Sequence, residues 1–125
     1  MNYQGKSIRK ATGGRLKENR GKRKFQMGTE KVQPVIGPTS RKVVNVMGNG
    51  TKVKVLKENI INVTDQKTGK THKTTITTEV ENPANKNYVR RNILTKGAIV
   101  TTELGKAKIT SRPGQHGELS GVVVE

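Results

Sequence analysis

The chain reads as an all-β protein, a small antiparallel β-barrel or sandwich preceded by a basic N-terminal extension that lacks a core of its own. Three observations predict this. Its apolar residues are mostly β-branched, with fourteen Val and eight Ile, joined by fifteen Thr, against five Leu and four Ala; such side chains fit a pleated surface and lose rotamer freedom in a helix. Short apolar runs recur at intervals of roughly ten residues with Gly or Pro at the breaks, which is the spacing of small sandwiches and barrels. The charge is uneven: residues 1–31 supply ten of the 25 Lys and Arg but only seven apolar side chains, so a core has to come from the rest of the chain.

The extension is densest from Lys6 to Lys24, where nine of nineteen residues are cationic against one acid, Glu18, a net charge of +8. Ile8, Ala11 and Leu16 are too few and too scattered to form a stripe of either period. Such a segment is expected to be flexible when free and to be ordered by a polyanion whose phosphates it neutralises. Val32, Val35 and Ile36 then appear beside Pro34 and Pro38, which read as a linker because proline interrupts a ladder. The organisation expected is therefore an extension over 1–31, a linker over 32–40 and a barrel-like domain over 41–125.

Within that domain the strongest local signal is a hairpin: Val43, Val44 and Val46 lead into Gly48-Asn49-Gly50, and Thr51 to Leu56 alternates with period two. Ile60, Ile61 and Val63 form a short strand ending in the turn Asp65–Gly69. Thr71 to Val80 is Thr-rich and weakly apolar, which places it at a sheet edge guarded by Lys73 and Glu79. Glu81 to Lys86 is a loop, Tyr88 to Leu94 an extended piece, and Ala98–Glu103, Lys106–Ser111 and Leu119–Val124 are three closing strands. No stretch has helical periodicity beyond about two turns, which disfavours a helix that reads a DNA groove.

Several function classes are excluded by what is missing. There is no cysteine, hence neither disulfide nor thiolate metal site. His72 and His116 lack a second ligand at metal spacing, and no metal or other cofactor is expected. The nine acids are dispersed; Glu79 and Glu81, the one close pair, are expected to share a strand face as solvent-facing charge. Thr64–Thr71 ends like a phosphate-binding loop, but its first glycine is absent and no strand-to-helix unit follows. Ser7-Ile8-Arg9-Lys10 and Lys67-Thr68-Gly69 match two of three serine β-lactam enzyme signatures, with the third missing. The chain is read as no enzyme and as having no small-molecule substrate. No apolar run is long enough for a membrane span and no leader is evident, so a cytoplasmic location is expected.

A net charge of +16 points to nucleic acid. With Tyr3, Phe25 and Tyr88 the sole aromatics, a base-stacking platform is not available, which leaves phosphate and 2′-hydroxyl contacts to folded RNA. The candidate RNA-binding residues are Lys6, Arg9, Lys10, Gly13, Gly14, Arg15, Lys17, Arg20, Lys22, Arg23 and Lys24 on the extension, and Arg41, Lys42, Arg90, Arg91 and Arg112 on the body. Arginine suits bidentate phosphate contacts, lysine acts as a point charge, and Gly13-Gly14 lets the backbone approach closely.

Longer blocks carry a family resemblance. Tyr3-Gln4-Gly5-Lys6-Ser7, Thr12-Gly13-Gly14-Arg15, Lys22 to Gly28, Glu81 to Asn85, Asn87 to Asn92, Thr95 to Ile99, Glu103 to Ala107 and Ser111 to Gln115 together resemble small-subunit ribosomal protein eight of the archaeal and eukaryotic series, in its compact archaeal form. Tyr3 stands where many members have Trp, Ala11 where archaeal members often have Pro, and Met47 to Gly50 replaces a more basic turn. The resemblance implies a structural constituent of the small ribosomal subunit with a β-barrel-like body and a basic extension entering the RNA. Its partners would be small-subunit ribosomal RNA and neighbouring ribosomal proteins on the ribosome, with a monomer when free. A ribosome-assembly factor with a similar domain and an architectural DNA-binding protein are the alternatives.

Overall fold

The computed structural model describes residues 2–3 and 7–124. The chain divides into two compact units, Met1–Lys31 and Val32–Glu125.

In the first unit β1 (Asn2–Tyr3) pairs antiparallel with β2 (Met27–Gly28), and Lys24–Gln26 form one 3-10 turn before β2. Every side chain from Ser7 to Gln26 is exposed, as the shortage of apolar residues requires.

The second unit contains a ribbon and a barrel. The ribbon pairs β3 (Ser40–Val46) with β4 (Gly50–Lys57), the hairpin expected from the alternation. Its turn uses positive φ at Gly48 (78°) and Asn49 (60°), conformations that Gly and Asn tolerate best. The barrel closes in the order β5 (Ile60–Thr64), β6 (Thr71–Glu81), β7 (Ile99–Thr102), β8 (Gly105–Ile109), β9 (Ser120–Val123). Four pairings are antiparallel and the closing one, β5 with β9, is parallel. This follows from parity: five strands of alternating direction can return to the first only by meeting it in the same direction. Ile61, Val63, Ile76, Leu94, Ala98, Val100, Ala107, Ile109 and Leu119 fill the interior. At Gly121 on β9 an added Cβ would lie 3.0 Å from both Ile61 Cδ1 and the Lys108 carbonyl oxygen, so the barrel is too tight there for a side chain.

Several expectations need correction. Thr71–Val80 is no edge strand: β6 is paired on both sides, by β5 and β7, because barrel closure removes edges. Register shifts between Ile76 and Thr78 and between Glu79 and Glu81 break the alternation, as bulges do. Glu79 is therefore buried while Glu81 is exposed, and the two do not share a face. Tyr88 to Leu94 is not extended throughout. Lys86–Arg90 form a short helix, α1, capped by Asn85, whose side-chain oxygen accepts from the Asn87 amide; the cap satisfies an otherwise orphan donor. Pro113–His116 form a second single-turn helix, α2, with Pro at its start and Gly117 in the left-handed conformation at its end. Residues 32–40 lie within the second unit, where Val35 bridges Lys57 on one side and Ile93 on the other, and Pro34 is buried.

A buried carboxylate, Glu58, anchors this unit. Glu58, 2% exposed, accepts from Thr39 Oγ1 at 2.6 Å and Arg41 Nη2 at 3.0 Å. Burial alone would raise its pKa, but the Thr39 hydroxyl and the Arg41 guanidinium together hold it below the usual glutamate value. A depressed folded-state pKa gives stability that is present above the unfolded value and is lost as pH falls through the folded one. Glu58→Gln should therefore cost about 1–2 kcal/mol near neutrality, a range set by the half-exposed partner Arg41. Denaturant titrations across pH check it: the difference from wild type should shrink in acid, and a constant difference would count against the ion pair.

Candidate nucleic-acid interface

On the extension, two backbone hydrogen bonds make a tight turn: Gly13 N donates to Lys10 O and Lys10 N to Gly14 O, while Leu16 N donates to Ile8 O. Gly13 has φ of 84°, which only a glycine adopts without strain. The consequence is electrostatic. Arg9 and Arg15 become directly opposed across the turn, and Arg9 Nη1 folds back to donate to Gly13 O at 2.9 Å. Gly13 and Gly14 thus shape the turn that carries Arg9, Lys10 and Arg15. Lys17, Lys22, Arg23 and Lys24 are likewise exposed, and the Arg20 guanidinium lies 6.0 Å from the centroid of the exposed Phe25 ring, at the outer range of a cation–π contact. Lys6 lies outside the described residues.

The body candidates fall at three places. Arg41 and Lys42 lie on β3, and Arg41 is committed to Glu58 on one side although half its side chain stays in solvent. Arg90 ends α1 and Arg91 follows it; both are exposed, and Arg91 Nη2 donates to Gln33 Oε1 at 3.1 Å. Arg112 is the exposed residue preceding α2. Sequence reasoning passed over Lys52 and Lys54 on β4, which sit on the same face of the ribbon as Lys42 because Lys42 is registered opposite Lys54. The alternation Thr51 to Val55 was the available signal for the β4 pair; the partner on β3 needed the register.

The segment that imitates a phosphate-binding loop is the β5–β6 hairpin. Asp65 Oδ1 accepts from the Lys67 amide and Oδ2 from Thr68 Oγ1, both at 2.9 Å, an Asx turn in which Gly69 takes φ of 69°. The loop's own carboxylate occupies its donors. Among the described residues no group of three or more His, Asp or Glu is arranged to hold a metal, and no helix is long and apolar enough to cross a membrane.

Fold and charge define a class: a small basic β-barrel protein with a cation-dense extension and further cations spread over its ribbon and barrel. Comparison with known proteins supplies the family. The chain matches the family described as Ribosomal protein S8e over residues 3–124 and belongs to it. It is 66% identical over 124 residues to the small ribosomal subunit protein eS8 of Methanocella arvoryzae, covering 99% of each chain. The proteins of that name from Methanocorpusculum labreanum and Haloarcula marismortui are 54% and 46% identical over the full length of both chains. The resemblance carried by the Thr12–Arg15 and Glu81–Asn85 blocks is confirmed, and the family is one of ribosomal proteins rather than enzymes.

Proposed function

We propose that this protein is a structural constituent of the small ribosomal subunit that binds and stabilises folded ribosomal RNA by neutralising its phosphates. One observation carries the reading: from Arg9 to Lys24 every cation is exposed on a segment with no buried side chain, and two arginines are held opposite one another across a glycine turn. Like charges so opposed repel, and an anion between them removes the repulsion. The extension lays its arginines and lysines along phosphates that would otherwise repel each other. The body contacts folded RNA through Arg90, Arg91 and Arg112, and neighbouring ribosomal proteins complete the surroundings. The free protein is a monomer with a flexible extension, and it resides on the ribosome.

Neutralising about six phosphates gives a logarithmic salt slope near −4 to −5. Replacing Arg9, Arg15, Arg20 and Arg23 by Gln should make that slope shallower by about 3 and weaken binding to small-subunit ribosomal RNA by at least a hundredfold at moderate salt. Filter binding across a salt series measures both. An unchanged slope would overturn the reading, as would mature small subunits that sediment complete without this chain.

A further inference from the structure

The β3–β4 ribbon has two faces. One, bearing Val53 and Val55, turns toward the body: Val55 is fully buried, and Val53 lies where a Cβ on Gly117 would strike it at 2.8 Å. The other carries Lys42, Lys52 and Lys54, with Lys42 registered opposite Lys54 and Lys52 opposite Val44. Directly opposed like charges destabilise a strand pair. The ribbon supplies no counter-charge of its own, because residues 31–57 contain no acid at all and the next one, Glu58, is buried against Thr39 and Arg41. At the free end of the ribbon Met47 is 99% exposed, a whole apolar side chain held on a turn whose geometry Gly48 and Asn49 fix.

The lysines do not cover the most exposed valine of the ribbon. The valine of the ribbon most in need of cover, Val43 at 64% exposure, lies on the opposite face, where the one cation, Arg41, is bound to Glu58. Charge complementarity selects the occupant. A rigid two-stranded platform with three ammonium groups and no carboxylate fits a phosphodiester backbone, and its apolar tip can pack against an unstacked base as other apolar wedges do.

We propose that the β3–β4 ribbon is a second RNA-docking element, distinct from the extension, in which Lys42, Lys52 and Lys54 seat the phosphate backbone of folded ribosomal RNA and Met47 packs against an exposed base at its end. The inference rests on the RNA-binding reading above and adds a site to it. A free lysine face binds phosphate without sequence preference, whereas the tip gives the element a preference for RNA that presents an unpaired base.

The test uses full-length protein and protein-free small-subunit ribosomal RNA as the probe, with duplex DNA of matched charge as comparison. Lys42→Gln/Lys52→Gln/Lys54→Gln should make the logarithmic salt slope shallower by about 2–3 and weaken binding at least tenfold, with a thermal midpoint that does not fall, because neutralising the opposed Lys42 and Lys54 removes a repulsion within the ribbon. Met47→Ser should weaken ribosomal RNA binding severalfold and leave both the slope and duplex DNA binding unaltered. Wild type that binds with a steep slope while the triple variant matches it would overturn the ribbon site and spare the extension. Equal losses of the Met47→Ser variant on RNA and duplex DNA would reduce the ribbon to general counterion attraction and overturn the proposed docking element. Wild type that fails to bind the RNA at all would overturn both readings.

Discussion

Asn82→Ala should destabilise the barrel unit by about 3 kcal/mol or more, with a penalty that grows as pH rises. Asn82 is 3% exposed and makes four hydrogen bonds. Its Nδ2 donates to Glu79 Oε1 at 2.8 Å and to Ile93 O at 3.2 Å; its Oδ1 accepts from the Ala84 amide at 2.9 Å and from Thr95 Oγ1 at 3.1 Å. One side chain thus ties β6 to the loop after it and to the segment leading into β7. Alanine removes all four bonds and strands buried polar groups at a cost of about 1 kcal/mol or more each. The pH dependence comes from Glu79, whose Oε2 is buried without a hydrogen-bond partner. Burial raises its pKa, opposed by the Asn82 bond. A raised folded-state pKa means that the contribution of Glu79 is fully present below the unfolded glutamate value and is lost as pH climbs through the folded one. Deleting Asn82 removes the opposing bond and pushes the carboxyl higher, so the variant falls further behind wild type at neutral than at mildly acid pH. Urea denaturation at several pH values measures this, and the same substitution made with Glu79→Gln should show a flat difference. A penalty below about 1 kcal/mol, or one independent of pH with Glu79 intact, would remove Asn82 from this role.

The legibility of the fold divides along local and non-local lines. The β3–β4 hairpin could be read because alternation and the Gly48-Asn49 turn are written within a few consecutive residues, and β5 with its Asp65–Gly69 turn likewise. Closure could not be read. Nothing in Thr71–Glu81 records that β7 will cover its second side, so a Thr-rich strand looked like an edge, and Glu79 looked solvent-facing because the two irregularities in β6 shift the inward positions from Ile76 to Glu79. Helix α1 escaped because five residues cannot display a 3.6-residue period, and what starts it is the side chain of Asn85. The charge of the extension was plain in composition, yet the opposition of Arg9 to Arg15 depends on a turn, and the lysine face of the ribbon on a register between residues ten or more positions apart. In each case the residues were visible and their juxtaposition was not.

Gly117→Ala should be far more damaging than Gly48→Ala, although both glycines have nearly the same backbone, with φ of 81° and 78°. At Gly48 nothing lies within 4 Å of an added Cβ, so its replacement carries only the left-handed backbone penalty of about 1 kcal/mol. At Gly117 the new atom would stand 2.8 Å from Val53 Cβ and 3.0 Å from the Val53 carbonyl oxygen. Neither is the end of a flexible side chain, so β4 or the end of α2 has to move, adding about 2 kcal/mol of overpacking. The pair therefore separates conformational strain from steric conflict: about 3 kcal/mol against about 1, or a fall in thermal midpoint of more than about ten degrees against a few. Equal losses would show that contact with Val53 does not fix the ribbon to the body. The unequal result has a functional corollary, since the same contact holds the inner face of the ribbon and so sets where Lys42, Lys52 and Lys54 stand. A Gly117→Ala protein that remains folded should lose RNA affinity through displaced charges that are all still present.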